Sequence, residues 1–160
     1  MIIFCDGASN NNTKRSGVGV VFFDEDQFKD PSDPKSIYID AKPKHIISRE
    51  IMGSKTRYIN PTNNEAEYES LLAALEFCRE KDIKNPKIYM DSKLVVNQTR
   101  GLWKINYDHL RKLKQRVDNY KDIGFTVHHI RREFNTHADK ASKDCLKKEP
   151  VIDNPFKEWK

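Results

Sequence analysis

Cysteine is scarce and scattered: three in 160 residues, at Cys5, Cys78 and Cys145, with no C-x-x-C pair. An odd, widely spaced set excludes a fully paired disulfide framework and a zinc ribbon. It predicts buried free thiols in a reducing, cytoplasmic setting. Long apolar runs are missing as well, and the mean hydropathy is -0.82. Nothing approaches the roughly 20 apolar residues of a membrane span. The opening Met1-Ile2-Ile3-Phe4-Cys5-Asp6 lacks a basic start and meets an acid too early for a secretory leader. Internal repeats and low-complexity tracts are absent too.

What is present is a set of short apolar runs, such as Ile2–Cys5 and Val18–Phe23, within a chain that is 37% hydrophobic and 33% charged. Such runs exclude global disorder. The length suits one domain, since two would each sit near the lower limit for burying a core. Lys and Arg outnumber Asp and Glu 29 to 24, a net charge of +5. The excess is local. Between Ser92 and Arg116 stand Lys93, Arg100, Lys104, Arg111, Lys112, Lys114 and Arg116, opposed only by Asp108. A cluster of this kind suits a polyanion, through counterion release, and equally suits a solvated helix face.

Periodicity orders the elements. Ile2–Cys5 predicts a buried strand that stops at Asp6-Gly7-Ala8-Ser9, and Gly17–Phe23 a second strand. Residues 25–44 carry three prolines and many charges and predict a long turn with an edge strand at Ser36–Ile39. His45–Thr56 predicts a third strand, which makes the first three an antiparallel meander. Thr62-Asn63-Asn64-Glu65 has the form of a capping box, and Tyr68, Leu71, Leu72, Leu75 and Cys78 then recur at helical spacing. Lys87–Met90 predicts a strand, Lys93–Thr99 a helix and Asn106–Tyr120 an amphipathic helix. Phe125–Ile130 predicts a fifth strand and Asn135–Lys147 a last helix. The fold class is therefore α/β with a five-stranded mixed sheet over residues 1–147. Residues 148–160 read as a C-terminal tail.

Four carboxylates fall at telling positions. Asp6 and Asp91 directly follow apolar strands, where ligands gather in such sheets. Glu67 and Asp139 lie in first turns of helices, on the faces that pack on the sheet. Brought together unpaired they would repel, and divalent cations resolve that conflict with hard oxygen ligands suited to Mg²⁺ or Mn²⁺. Each also has a purely structural explanation: Asp91-Ser92 as an N-cap, Glu67 and Asp139 complementing helix dipoles, Asp6-Gly7 as a turn.

The runs Asp6-Gly7-Ala8-Ser9, Thr62 to Tyr68, Asp91 to Gln98 and Asn135-Thr136-His137-Ala138-Asp139 together resemble ribonuclease H of type 1. The compact branch found in archaea and some bacteria is the most similar, because it also carries a Gly-x-Trp, here Gly101-Leu102-Trp103. The resemblance spans about residues 1–147 with all four motifs in order. It implies the RNase H-like fold, with helices flanking the sheet, and a metal-dependent endonuclease for the RNA strand of RNA–DNA hybrids that leaves 5′-phosphate and 3′-hydroxyl ends. It implies two Mg²⁺ (or Mn²⁺) ions, with Asp6 bridging both, Glu67 and Asp91 near the leaving 3′-oxygen, and Asp139 beside the water. It implies minor-groove contacts from Ser9, Asn10, Asn63 and Asn64, and a DNA phosphate at Thr62, whose capping role is an alternative. Trp103 would stack on the DNA strand or serve as a core aromatic, and Lys104 with the following basic helix would track the DNA backbone.

Three departures accompany the resemblance. The 25–44 segment is long and offers an added hairpin or a contact for a protein partner, although the chain is expected to act as a monomer. The basic protrusion of larger relatives has no counterpart. The product-release His of bacterial relatives is missing from Ile130–Asn135, where Arg131 or Arg132 is the electrostatic replacement. The runner-up function is a catalytically weak RNase H-like module that binds nucleic acid or a partner protein. A 3′→5′ exonuclease ranks third, since Asp6 is not followed by the Asp-x-Glu pattern of that class.

Overall fold

Nine-residue strands open the chain and set its plan. A computed structural model describes residues 1–10, 13, 15–51 and 63–147. Strand β1 (Ile2–Asn10) pairs antiparallel with β2 (Arg15–Phe23), which pairs antiparallel with β3 (His45–Glu50). On its other side β1 pairs parallel with β4 (Lys87–Met90), and β4 with β5 (Thr126–His129), giving the order β3-β2-β1-β4-β5. Among the described residues four α-helices complete the fold: α1 (Asn63–Glu80), α2 (Lys93–Thr99), α3 (Asp108–Asp118) and α4 (Thr136–Asp144). Among the described residues no helix is long and apolar enough to cross a membrane.

Alternation along the strands builds two cores. Ile3, Cys5, Val20, Phe22, Ile88 and Met90 face α1, α2 and α3. Ile2, Phe4, Val21, Phe23 and Tyr89 face α4. All three cysteines are buried free thiols. Burial pushes the Cys78 thiol up to about 11.

Several boundaries differ from expectation. β1 does not stop at Asp6 but runs to Asn10, because β2 supplies a ladder partner at every step down to Arg15. The edge strand expected at Ser36–Ile39 is absent. Pro34 instead starts a 3₁₀ turn (Pro34–Ser36), capped by the Asp33 side chain accepting from Lys35 N–H, and only an isolated bridge joins Phe28 to Ile37. The 25–44 segment is docked by Phe28, which stacks on Phe4 with centroids 6.3 Å apart. β3 ends at Glu50, with residues 52–56 of the expected strand lying outside the described residues, α3 is two residues shorter at each end than Asn106–Tyr120, and the last helix tightens into 3₁₀ at Cys145–Lys147. Thr62, with its expected capping box, and the 148–160 tail lie outside the described residues.

Candidate active site

The site begins where β4 ends. Its register with β1 closes at Cys5 opposite Met90, so Asp6 and Asp91 are the next residues on neighbouring strands. A Cβ at Gly7 would lie 2.2 Å from the backbone carbon of Ala66. Glycine there lets α1 approach β1 closely enough for Gly7 N–H to donate to Glu67 Oε1 at 3.1 Å. Gly19, opposite Asp6 on β2, plays the same part on the other face. A Cβ there would stand 2.3 Å from the Ala138 carbonyl oxygen, so glycine admits α4 and brings Asp139 over the strand ends.

Asp6, Glu67 and Asp91 each present an oxygen within 4.8 Å of the others. Asp6 and Glu67 are buried, at 5% and 6% exposure. Burial raises the Asp6 carboxyl from its ordinary 3.8 to about 6, and the charges of Asp91 and Asp139 push the same way, against an opposing effect of the neighbouring Glu67 carboxyl. Glu67 is raised well above its usual range, by burial first and then by Asp6. Its Oε2 is buried and meets no hydrogen-bond partner among the described residues. Uncompensated buried carboxylates are costly. An orphaned carboxylate oxygen aimed into a three-acid cluster is the donor set that a hard divalent cation fits.

Asp139 stands apart from that trio but lines the same cavity, of about 320 Å³. It is held by Lys143 at 3.2 Å, and Arg132 approaches to 4.0 Å. Arg132 therefore reaches the cavity, whereas Arg131 pairs with Glu133 at 3.0 Å. His137 packs edge-on against Phe23 instead.

Two positioning residues escaped the sequence reading. Ser142 Oγ lies 3.2 Å from Asp6 Oδ2 and 2.8 Å from the Asp139 carbonyl oxygen. Asn135 Nδ2 donates to the Cys5 carbonyl at 3.0 Å and to Asp91 Oδ2 at 3.3 Å. Asn135 thus ties β1, the end of β4 and the start of α4 together. The contact of Ser142 with Asp6 spans 136 residues and leaves no local signal.

The remaining candidates divide in two. Ser9, Asn63 and Asn64 line the cavity, and Asn63 Oδ1 accepts from Ser9 N–H at 3.1 Å. Asn10 accepts from Thr13 N–H at its own turn. Trp103 and Lys104 lie on the loop between α2 and α3, outside the cavity. Trp103 is 49% exposed, which removes the core-aromatic alternative. The basic cluster is also more balanced than its sequence window suggests. Arg111 pairs with Asp108, Lys114 with Asp118 at 2.8 Å, and Arg116 with Glu69 at 3.3 Å. His109 pairs with buried Glu65 at 2.9 Å.

Residues 49–145 match the protein family described as Reverse transcriptase-like. The bifunctional protein Rv2228c of Mycobacterium tuberculosis is 29% identical over 150 residues, 91% of this chain and 35% of that protein. Ribonuclease HI of Halobacterium salinarum is 34% identical over 89 residues, 53% of this chain and 44% of that protein. The chain thus spans about a third of the mycobacterial relative and less than half of the archaeal one. Among solved structures, LC11-RNase H1 in complex with an RNA/DNA hybrid superposes with a TM-score of 0.72 at 27% identity, covering 91% of this chain and 96% of that one.

Proposed function

The chain belongs to the reverse transcriptase-like family, with the RNase H fold, and from that premise we propose that it is an endonuclease hydrolysing the RNA strand of RNA–DNA hybrids. The observation that carries this reading is the convergence of Asp6, Glu67 and Asp91 within 4.8 Å, with Glu67 Oε2 buried and unpartnered. A pure binding module would gain nothing from such a cluster beside phosphates, since its charge repels them.

Asp6, Glu67, Asp91 and Asp139 would hold two divalent ions, Mg²⁺ or Mn²⁺, which would supply an activated water and stabilise the leaving 3′-oxygen. Asp6 would anchor the ions, Glu67 and Asp91 would serve the leaving-group side, and Asp139 the water side. Gly7 N–H donates to Glu67 Oε1 and so holds the carboxylate in place beside Asp6. Asn135 fixes the Asp91 carboxylate and Ser142 that of Asp6. Such preorganisation avoids reorientation during the reaction. Arg132 lines the cavity where its guanidinium can draw the scissile phosphate in. The products carry 5′-phosphate and 3′-hydroxyl ends.

Ser9, Asn10, Asn63 and Asn64 read 2′-hydroxyls across the hybrid's minor groove, the group that marks RNA. Thr62 meets a DNA phosphate. Exposed Trp103 stacks on the DNA strand, and Lys104 with α3 follows its backbone.

The test is an end-labelled cleavage assay on an RNA–DNA hybrid, double-stranded RNA and double-stranded DNA, each with Mg²⁺, Mn²⁺ or EDTA. Internal cuts confined to the RNA of the hybrid, and lost with EDTA, are expected. Binding of the hybrid without cleavage under either metal overturns the nuclease in favour of a recognition module.

A further inference from the structure

The connection between β2 and β3, residues 24–44, has no task in that reaction. It folds back over the sheet, and its Pro34–Ser36 turn stands across from β4 and β5. Between them runs a groove of about 650 Å³, twice the volume of the active-site cavity and within the range of ligand pockets. Its walls combine cations with rings. Lys35 Nζ lies 5.6 Å above the ring of Phe134, which is 40% exposed. Tyr89 and His128 stack at 5.2 Å, and His128 Nε2 bonds Thr126 Oγ1 at 2.8 Å, which fixes the ring. Lys87, two residues before Tyr89, projects from the same face of β4.

No carboxylate lines the groove among the described residues. The nearby acids each have a partner at its rim: Asp33 accepts from Lys35 N–H, Asp30 from Ser32, and Glu133 pairs with Arg131. Arg131 closes the end of the groove next to Arg132, which lines the active-site cavity. The two spaces are therefore adjacent, with one arginine in each.

We propose that this groove is a second nucleic-acid subsite, which holds unpaired RNA continuing past the carboxylates from the RNA strand of the hybrid. Phosphates lie on Lys35 and Lys87, and bases stack on Phe134 and His128. Cations that neutralise phosphates supply affinity by counterion release, and aromatic stacking accepts any base. RNA is the occupant because the strand lying at the carboxylates is the one that is cut; that choice rests on the hydrolysis reading.

The experiment compares KM and kcat for three substrates: a blunt hybrid, the same hybrid with a single-stranded RNA overhang of either polarity, and one with a DNA overhang. For the wild-type chain an RNA overhang of one polarity is expected to lower KM about tenfold, the scale of one or two stacked bases, with kcat unchanged. The double variant K35A/K87A loses that advantage, keeps blunt-hybrid kinetics and the thermal midpoint, and is rescued by K35R/K87R. Equal KM for blunt and RNA-overhang substrates overturns the subsite, as does an advantage that survives K35A/K87A. An equal gain from a DNA overhang overturns the assignment of the strand. Failure to cut even the blunt hybrid sinks the hydrolysis reading alone. Anisotropy with single-stranded RNA then decides the groove: K35A/K87A is expected to bind about fivefold more weakly, and unchanged binding overturns it.

Discussion

The two most charged regions of this molecule are built on opposite terms. Asp6 and Glu67 are almost fully buried, and with Asp91 they bring three carboxylates within 4.8 Å of one another. The cations of α3 ride on an exposed surface above Leu110, Leu113 and Val117, and Arg111, Lys114 and Arg116 are paired with acids. An exposed, paired cation costs little and contributes little. A buried, repelling carboxylate destabilises the fold until something positive arrives. Charge density alone therefore does not mark a site. Burial without compensation does.

That contrast breaks most directly at Asp6. Asp6→Asn is expected to abolish Mg²⁺-dependent cleavage of the hybrid while raising the thermal midpoint of the metal-free protein, because it removes one of the repelling charges. A variant that is both inactive and less stable would show that Asp6 is a structural residue and not a ligand. The next effect concerns the geometry that forces the acids together. Gly7→Ala places a methyl group against the Ala66 backbone, where no flexible side chain can yield. A loss of about 3 kcal/mol or more in urea unfolding is expected, with activity falling as Glu67 is driven from Asp6.

The same contrast has a pH signature. The Asp6 carboxyl is raised from 3.8 to about 6, so between those values the folded chain binds more protons than the unfolded one. Stability of the metal-free protein then falls as pH rises through about 6, by at most about 3 kcal/mol, and is regained on acidification. Mg²⁺ reverses this cost, so its stabilising effect is expected to be larger at pH 7.5 than at pH 5. Thermal melts with and without Mg²⁺ at the two pH values check it. A metal effect independent of pH would separate metal binding from the buried acids.

Sequence rules reached the carboxylates because each obeys a local signal. Asp6 and Asp91 follow apolar strands, and Glu67 and Asp139 sit on sheet-facing helical positions. Contacts that close over long separations left no such trace. Asn135 to the Cys5 carbonyl and Ser142 to Asp6 join residues 130 and 136 apart. The neutralising partner of Arg116, Glu69, is 47 residues away and outside the basic window. The full length of β1 was hidden for a related reason: Asp6-Gly7 is a turn sequence by composition, and only nine consecutive partners on β2 hold it extended. Likewise the prolines of 25–44 announced a turn, but its docking through Phe28 depended on an aromatic cluster assembled by β1 and β2.

The smallest predicted effect lies within α3. Lys112 and Lys114 are near neighbours on one helix, yet Lys114 is engaged by Asp118 at 2.8 Å, and Lys112 has no acidic partner within 4.0 Å among the described residues. If α3 tracks phosphates, Lys112→Ala should weaken hybrid binding a few-fold and lower the slope of log K against log salt by about 1. Lys114→Ala should do less, because phosphate binding there must compete with an existing ion pair and its removal frees Asp118 to repel the backbone only weakly at the surface. Equal salt slopes for the two variants would mean that the ion pair opens freely on binding. The distinction between paired and unpaired cations on this helix would then matter to the free protein alone.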